Sequence, residues 1–379
     1  MVLRLRSVIV GVTRRRPAVA ARSHLHLNGS LRRYETSLIA APVGPLPYSL
    51  RAMRAVQISE LSGPDAVRVV DAPAPEPNHM LTPGEGVLID VVAAGVSFPD
   101  VLQTRGLYQL KPDLPFIPGC EVAGTVVHAP ANSGLQTGQR VAAFTVLGGM
   151  AERAVAPAYL TFALSDRLDF AQGASLILNY HTVYFALKLR GRLKEGERVL
   201  VHGAAGGIGT AALQIARALG ASTIAVVSSD EKERVAREAG ADEVVRSDGP
   251  WREQVLELTG GGVDVVLDPV GGDRFTDSLR CLREQGRALV VGFTGGAIPE
   301  VKVNRLLLRN IEVVGAGWGA YVMGNPQRNR DNGEAIAKMI ESGFIEPIVG
   351  ARFPLEQAVE ALRTIDERRA LGKVVLDVG

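Results

Sequence analysis

The sequence is short of cysteine, of net charge and of long apolar runs, and each shortage narrows what the chain can be. Cys120 and Cys281 are the two cysteines in 379 residues and stand far apart. That excludes a disulfide framework and fits a reducing compartment. The formal net charge of +2 gives no electrostatic footprint for nucleic acid. No apolar run reaches the length needed to span a bilayer. What is present, 46% hydrophobic and 22% charged residues, is the composition of a soluble globular protein long enough for two domains and a cleft between them.

Acidic residues are nearly missing from residues 1–52, where Glu35 alone stands against nine arginines, among them the run Arg14 to Arg16. Apolar periodicity is poor there too. The segment reads in two ways, as a mitochondrial transit peptide or as an upstream extension outside the fold. The expected location is cytoplasmic, or mitochondrial if the leader is a transit peptide. Either way the globular domain starts near Met53.

From residue 53 to 171 the chain shows short apolar runs broken by Gly and Pro: RAVQI, AVRVV, GVLIDVVAAGV, EVAGTVV, RVAAF. Such a texture predicts a compact β domain. After Phe170 strands alternate with amphipathic helices. RVLVHG, STIAVV, VDVVLD, GRALVVGF and IEVVG read as strands, with helices between them. This alternation predicts an α/β, doubly wound parallel sheet over residues 172–323. Two helical patterns and a closing strand, GKVVLDV, occupy 324–379 and are expected to complete the first domain.

Between a predicted strand and a predicted helix lies HGAAGGIG, residues 202–209. It is not a strict GxGxxG, but its small residues let the backbone turn tightly and bring amides to a pyrophosphate at the positive end of the helix. Ala205, Gly206, Gly207 and Ile208 are the candidate cradle. The next strand ends in VVSSDEK. An acidic residue at its tip would accept from a ribose hydroxyl. Ser228, Ser229 and Lys232 instead offer two hydroxyls and a cation, which suit a phosphate and favour NADPH over NADH. Asp230 competes with that reading, unless it serves to cap the following helix.

Taken together, AAGVSFPDVLQTRGLY, LPFIPGCEVAGTV, HGAAGGIG, VVSSDEK, LDPVGG and the closing GKVVL resemble the zinc-free quinone oxidoreductase branch of the medium-chain dehydrogenase/reductase superfamily, to which zeta-crystallin belongs. The resemblance runs from Met53 to the C-terminus. It implies a Rossmann domain plus a GroES-like β-barrel domain, and pairing of two copies through the dinucleotide domain. Where zinc-dependent relatives carry their catalytic ligands, this chain has Ser97, Cys120 and, at or near the third position, Leu178. One thiolate without an imidazole or second thiolate cannot hold tetrahedral zinc, and the four cysteines of the structural zinc lobe are absent. No metal site is expected. Cys120 reads more simply as a small buried residue than as a nucleophile.

A metal-free dinucleotide fold can still reduce an electrophilic acceptor, such as a quinone or an α,β-unsaturated carbonyl, because nicotinamide supplies the hydride and the protein orients it. The family pattern NFxDxxxRxGxY appears here as SFPDVLQTRGLY, with Ser97 in place of Asn and Thr104 followed by Arg105 at the arginine. Tyr108 is the candidate hydrogen-bond donor to the reduced oxygen, or else an aromatic wall of the cleft. Ser97 and Asp100 complete the catalytic candidates, although Asp100 and Arg105 also read as a pair that holds the loop. By resemblance Thr182 faces the nicotinamide and Lys373 lies near the cofactor, while Phe293, which follows a strand of the parallel sheet, is a candidate to line the nicotinamide pocket. Enoyl-thioester reduction, or a cofactor-bound structural role with little turnover, are the alternative functions.

Overall fold

The computed structural model describes residues 51–379 apart from Gly324. The leader expectations therefore fall, but for its last two residues, outside the described residues. The chain forms β1 (Ala52–Gln57), β2 (Arg68–Pro73), β3 (Val87–Val96), β4 (Glu121–His128), β5 (Arg140–Phe144), β6 (Arg153–Ala156) and β7 (Thr161–Ala163). Next come β8 (Arg198–His202), β9 (Ser222–Val227), β10 (Glu243–Arg246), β11 (Val263–Asp268), β12 (Leu282–Val290) and β13 (Glu312–Gly315). The tail contributes β14 (Val349–Pro354) and β15 (Lys373–Asp377).

The middle strands make one parallel sheet in the order β10-β9-β8-β11-β12-β13. Its inner strands are near-continuous Val, Ile and Leu because helices cover both faces, and all six residues of β11 are buried. Strand order reverses between β8 and β9 on one side and β11 on the other. The carboxyl ends of β8 and β11 therefore flank a crevice where such sheets bind ligands.

The remaining strands build the barrel sheet, ordered β14-β15-β3-β4-β5-β7, with β6 also pairing β3. Here β15 runs antiparallel to β3 and parallel to β14, so the last strand of the chain sits inside the barrel sheet rather than at its edge. Just before β15 the chain also touches the glycine turn that follows β8: Gly372 forms a bridge with Gly206, and its amide donates to Ala205 O at 2.6 Å. One apolar core runs from Phe144 and Leu160 of the barrel through Ile177, Tyr180 and Leu187 to Val199 and Leu213 beneath the parallel sheet. Segment 177–190, which makes this connection, is wound largely in π-helical turns, Ile177–His181 and Phe185–Arg190, on either side of Thr182–Tyr184. Among the described residues no helix is long and apolar enough to cross a membrane.

Candidate active site

Strand β8 ends at His202, and Gly203 turns the chain with φ +58°, a conformation that favours glycine. The helix Gly207–Ala218 then starts at Gly206, with no side chain capping it. Each glycine here has its own reason. A Cβ on Gly209 would collide with the main chain of Gly203 and Ala204, so this residue lets the helix pack on the turn. One on Gly207 would come within 2.5 Å of Asn179 Nδ2. Gly206 differs: its φ is an ordinary −87°, and the nearest atom to an added Cβ is 3.5 Å away. Nothing in the protein demands glycine at 206. The space it leaves, at the positive end of an uncapped helix, is where main chain can approach an anion.

At the tip of β9, Ser229 caps the helix Asp230–Glu238 by accepting from Lys232 N at 3.3 Å. Asp230 is not the cap: it forms an ion pair with Arg246 and is drawn to that side. Lys232 Nζ donates to Ser228 Oγ at 3.2 Å and to Arg368 O at 3.1 Å. Arg368, in turn, donates to Gly295 O at 3.3 Å. Burial, and then the Arg368 charge, hold the Lys232 ammonium below the usual lysine range. Two cations thus stand together beside two serine hydroxyls, an arrangement suited to an anion. Sequence reasoning missed Arg368, which lies far away in the chain.

A second cluster forms where β3, β4 and β15 meet. Ser97 follows β3 and begins the helix Phe98–Thr104; its amide donates to Asp100 Oδ2 at 2.8 Å. The other Asp100 oxygen accepts from Gly119 N at 3.2 Å. Burial pushes this carboxyl up to about 7, against the pull of those amides and of Lys373. Lys373 Nζ donates to Ser97 Oγ at 2.6 Å and forms an ion pair with Glu121, whose other oxygen accepts from Leu178 N at 2.9 Å. The Cys120 thiol, buried beside them, is held well above its usual value by burial and by the Asp100 and Glu121 charges. Tyr108 is half-buried at the rim. Its phenol is pushed up to about 12 by burial, then by Cys120 and Asp100, and among the described residues its hydroxyl has no hydrogen-bond partner.

Ser97, Asp100 and Tyr108 therefore share one neighbourhood, and Lys373 joins them: its main chain follows the glycine turn while its ammonium lies in this cluster. Glu121 carries the arrangement although no role was read for it. The available signal was an acid heading the apolar strand EVAGTVV, matched by a lone lysine heading KVVL.

The expected Asp100–Arg105 pair does not form. Arg105 makes a two-pronged ion pair with Asp366 at 2.9 and 2.6 Å, because the helix Ala358–Asp366 packs beside it. Thr182 is buried next to Asn179, and Phe293 is half-buried over Gly271. Trp318 is an interior residue that meets Phe144 edge-on at 5.1 Å and His181 at 5.7 Å. Burial lowers His181 to about 4. His202 is buried against Trp251 and hydrogen bonds with Ser278 Oγ at 2.8 Å.

Two family descriptions match the chain: an alcohol dehydrogenase GroES-like domain over residues 83–166 and a zinc-binding dehydrogenase over 207–338. Quinone oxidoreductase-like protein 2 of Bos taurus is 37% identical, with 86% of this chain and 93% of that protein covered. Among solved structures, a probable oxidoreductase from Mycobacterium abscessus is 42% identical with a TM-score of 0.78, covering 86% of this chain and 99% of that one. A quinone oxidoreductase from Escherichia coli, solved in complex with NADPH, is 28% identical with a TM-score of 0.77 and the same coverage. With this fold, this glycine turn and these relatives, the chain belongs to the medium-chain dehydrogenase/reductase superfamily, among its quinone oxidoreductases.

Proposed function

We propose that the protein is an NADPH-dependent oxidoreductase that works without zinc and reduces quinones or other conjugated carbonyls. The observation that carries the reading is Gly206, a glycine required by no neighbour, at the uncapped start of the helix Gly207–Ala218. NADPH fits these residues: the Gly207, Ile208 and Gly209 amides would hold its pyrophosphate, and Lys232, Arg368, Ser228 and Ser229 its 2′-phosphate. The Escherichia coli neighbour, solved with NADPH, supports that choice. When bound, NADPH supplies a hydride.

A zinc ion does not fit. Of the residues that by resemblance stand at or near the three ligand positions of zinc-dependent relatives, Ser97 Oγ already accepts from an ammonium, Cys120 is kept protonated by burial, and the Leu178 side chain has no ligating atom. No group of three or more His, Cys, Asp or Glu side chains among the described residues is arranged to hold a metal. A substrate handled without a Lewis acid must be electrophilic in itself, which favours conjugated carbonyls over simple ketones. Two copies pair through the parallel sheet: β13 is its outer strand, and Ile298, Val303, Leu307 and Leu308, in the stretch of chain that leads into it, are all about three-quarters exposed.

The test is cofactor oxidation by the full-length protein over a panel of ortho- and para-quinones, enones and enoyl-CoA thioesters, with NADPH and NADH compared and bound metal measured. We expect NADPH oxidation with quinones, no stoichiometric zinc, and a Lys232→Glu variant that loses NADPH affinity far more than NADH affinity. Stoichiometric zinc, or equal losses for both cofactors, would overturn the corresponding part of the reading.

A further inference from the structure

Lys373 and Glu121 are an ion pair buried in the interior, 4% and 0% exposed. Removing such a pair from water is costly, and apolar side chains of similar volume would avoid that cost. The backbone beside them is tightly packed: a Cβ on Gly95 would meet Ala174 O at 2.3 Å, Glu121 Cγ at 2.8 Å and Lys373 Cε at 2.9 Å.

Their third partner is the informative one. Ser97 Oγ accepts from Lys373 at 2.6 Å but lies 3.4 Å from Glu121 Oε1, at the outer limit of a hydrogen bond. The serine oxygen is thus held by the ammonium while its own proton is only weakly committed. A structural clamp would be complete with Lys373 and Glu121 alone. Ser97 occupies the first of the three ligand positions of zinc-dependent relatives, and Glu121, counter-ion of the lysine, accepts from the backbone of the third, Leu178. By that resemblance the Lys373 ammonium lies among residues that stand at or near ligand positions.

We propose that Lys373 and Ser97 form a proton relay that stabilises, and then protonates, the substrate oxygen during reduction. It rests on the reading of the protein as a reductase of conjugated carbonyls. When hydride adds to carbon, a C–H bond forms and the conjugated π pair moves to oxygen. The Ser97 O–H bond then breaks as its proton passes to that oxygen, giving the enol, which in the case of a quinone tautomerises to the hydroquinone. A Lys373 N–H bond breaks as its proton replaces the one Ser97 gave up. Lys373, left as a neutral amine, regains a proton from solvent. Both electrons come from the reduced nicotinamide, so one hydride and one proton are added in all.

The other titratable groups facing the relay have different tasks. Asp100 is held by the amides of Ser97 and Gly119, Cys120 stays a buried thiol, and Glu121 is the counter-ion. Tyr108, at the rim, is the competing donor.

The probe is 4-nitrophenol, whose coloured anion resembles the developing oxyanion and whose absorbance reports ionisation without turnover. Full-length protein, with and without NADP+, is titrated with it across pH. The wild type and Tyr108→Phe are expected to bind the anion in preference to the neutral phenol. Ser97→Ala, and Lys373→Met combined with Glu121→Gln, are expected to weaken anion binding about tenfold or more, as loss of a charge-assisted hydrogen bond does. The same variants should lower kcat for quinone more than they raise KM. The paired substitution leaves no unpartnered buried charge, so a folding failure does not mimic the effect. Anion binding and quinone turnover intact in Ser97→Ala would overturn the relay alone. No NADPH oxidation by the wild type with any conjugated carbonyl would overturn the reading on which it rests.

Discussion

Asp100 shows how much a single buried side chain can hold. It is 1% exposed and accepts from two main-chain amides, yet burial outweighs them and lifts its carboxyl to about 7. An acid with a higher pKa folded than unfolded binds its proton more tightly in the folded state. Its contribution to stability is therefore complete below the unfolded value, near 4, and is lost as pH rises through about 7, an effect of up to about 4 kcal/mol. Thermal melts between about pH 5 and pH 8 should show the wild type falling relative to Asp100→Asn, which has no charge to develop. Parallel curves for the two proteins would show that the ionised carboxylate is tolerated. Residue-level pairing was the least legible part of the sequence. Arg105 finds Asp366 and Lys373 finds Glu121 across more than 250 positions, and only the folded chain reveals such partners. Composition could flag Glu121 and Lys373 as lone charges in apolar strands, but not that they answer each other.

Strands and helices after Phe170 were readable because each buried strand is a continuous apolar run bounded by a turn, as in RVLVH and VDVVLD. Segment 177–190 was not, since the extra residue in each π-helical turn leaves no mark on composition. The glycine turn illustrates the difference between local and external causes. Gly209→Ala pushes a methyl group into the main chain of the turn and should destabilise the protein by about 1–3 kcal/mol. Gly206→Ala meets no protein atom within 3.4 Å and should change stability by less than about 1 kcal/mol, while weakening NADPH binding about tenfold or more. Melting curves beside NADPH fluorescence titrations separate the two effects. Undiminished NADPH affinity in Gly206→Ala would mean that the space at this turn is not the pyrophosphate cradle.

For the whole molecule, the exposed flank of the parallel sheet is the feature on which the proposed dimer turns. An outer strand with apolar neighbours such as Leu307 and Leu308, each 76% exposed, invites association. Sedimentation of the full-length protein at micromolar concentration should give a dimer, and Leu307→Glu combined with Leu308→Glu should give a monomer. A wild type that sediments as a monomer would exclude this flank as a stable interface. Fold class was legible at this scale because alternation of strand and helix admits few topologies.

The position of β15, between β14 and β3, sets a schedule for biosynthesis. Strands β3 to β7 leave the ribosome early, but the Ala93–Val96 half of one side of β3, which β6 does not reach, stays bare until the final strand has been made. The parallel sheet, drawn from one unbroken stretch, has all its chain long before that. Synthesis from one end thus delivers the barrel in two instalments, and its first half must wait, half-finished, for the last residues of the chain to be translated.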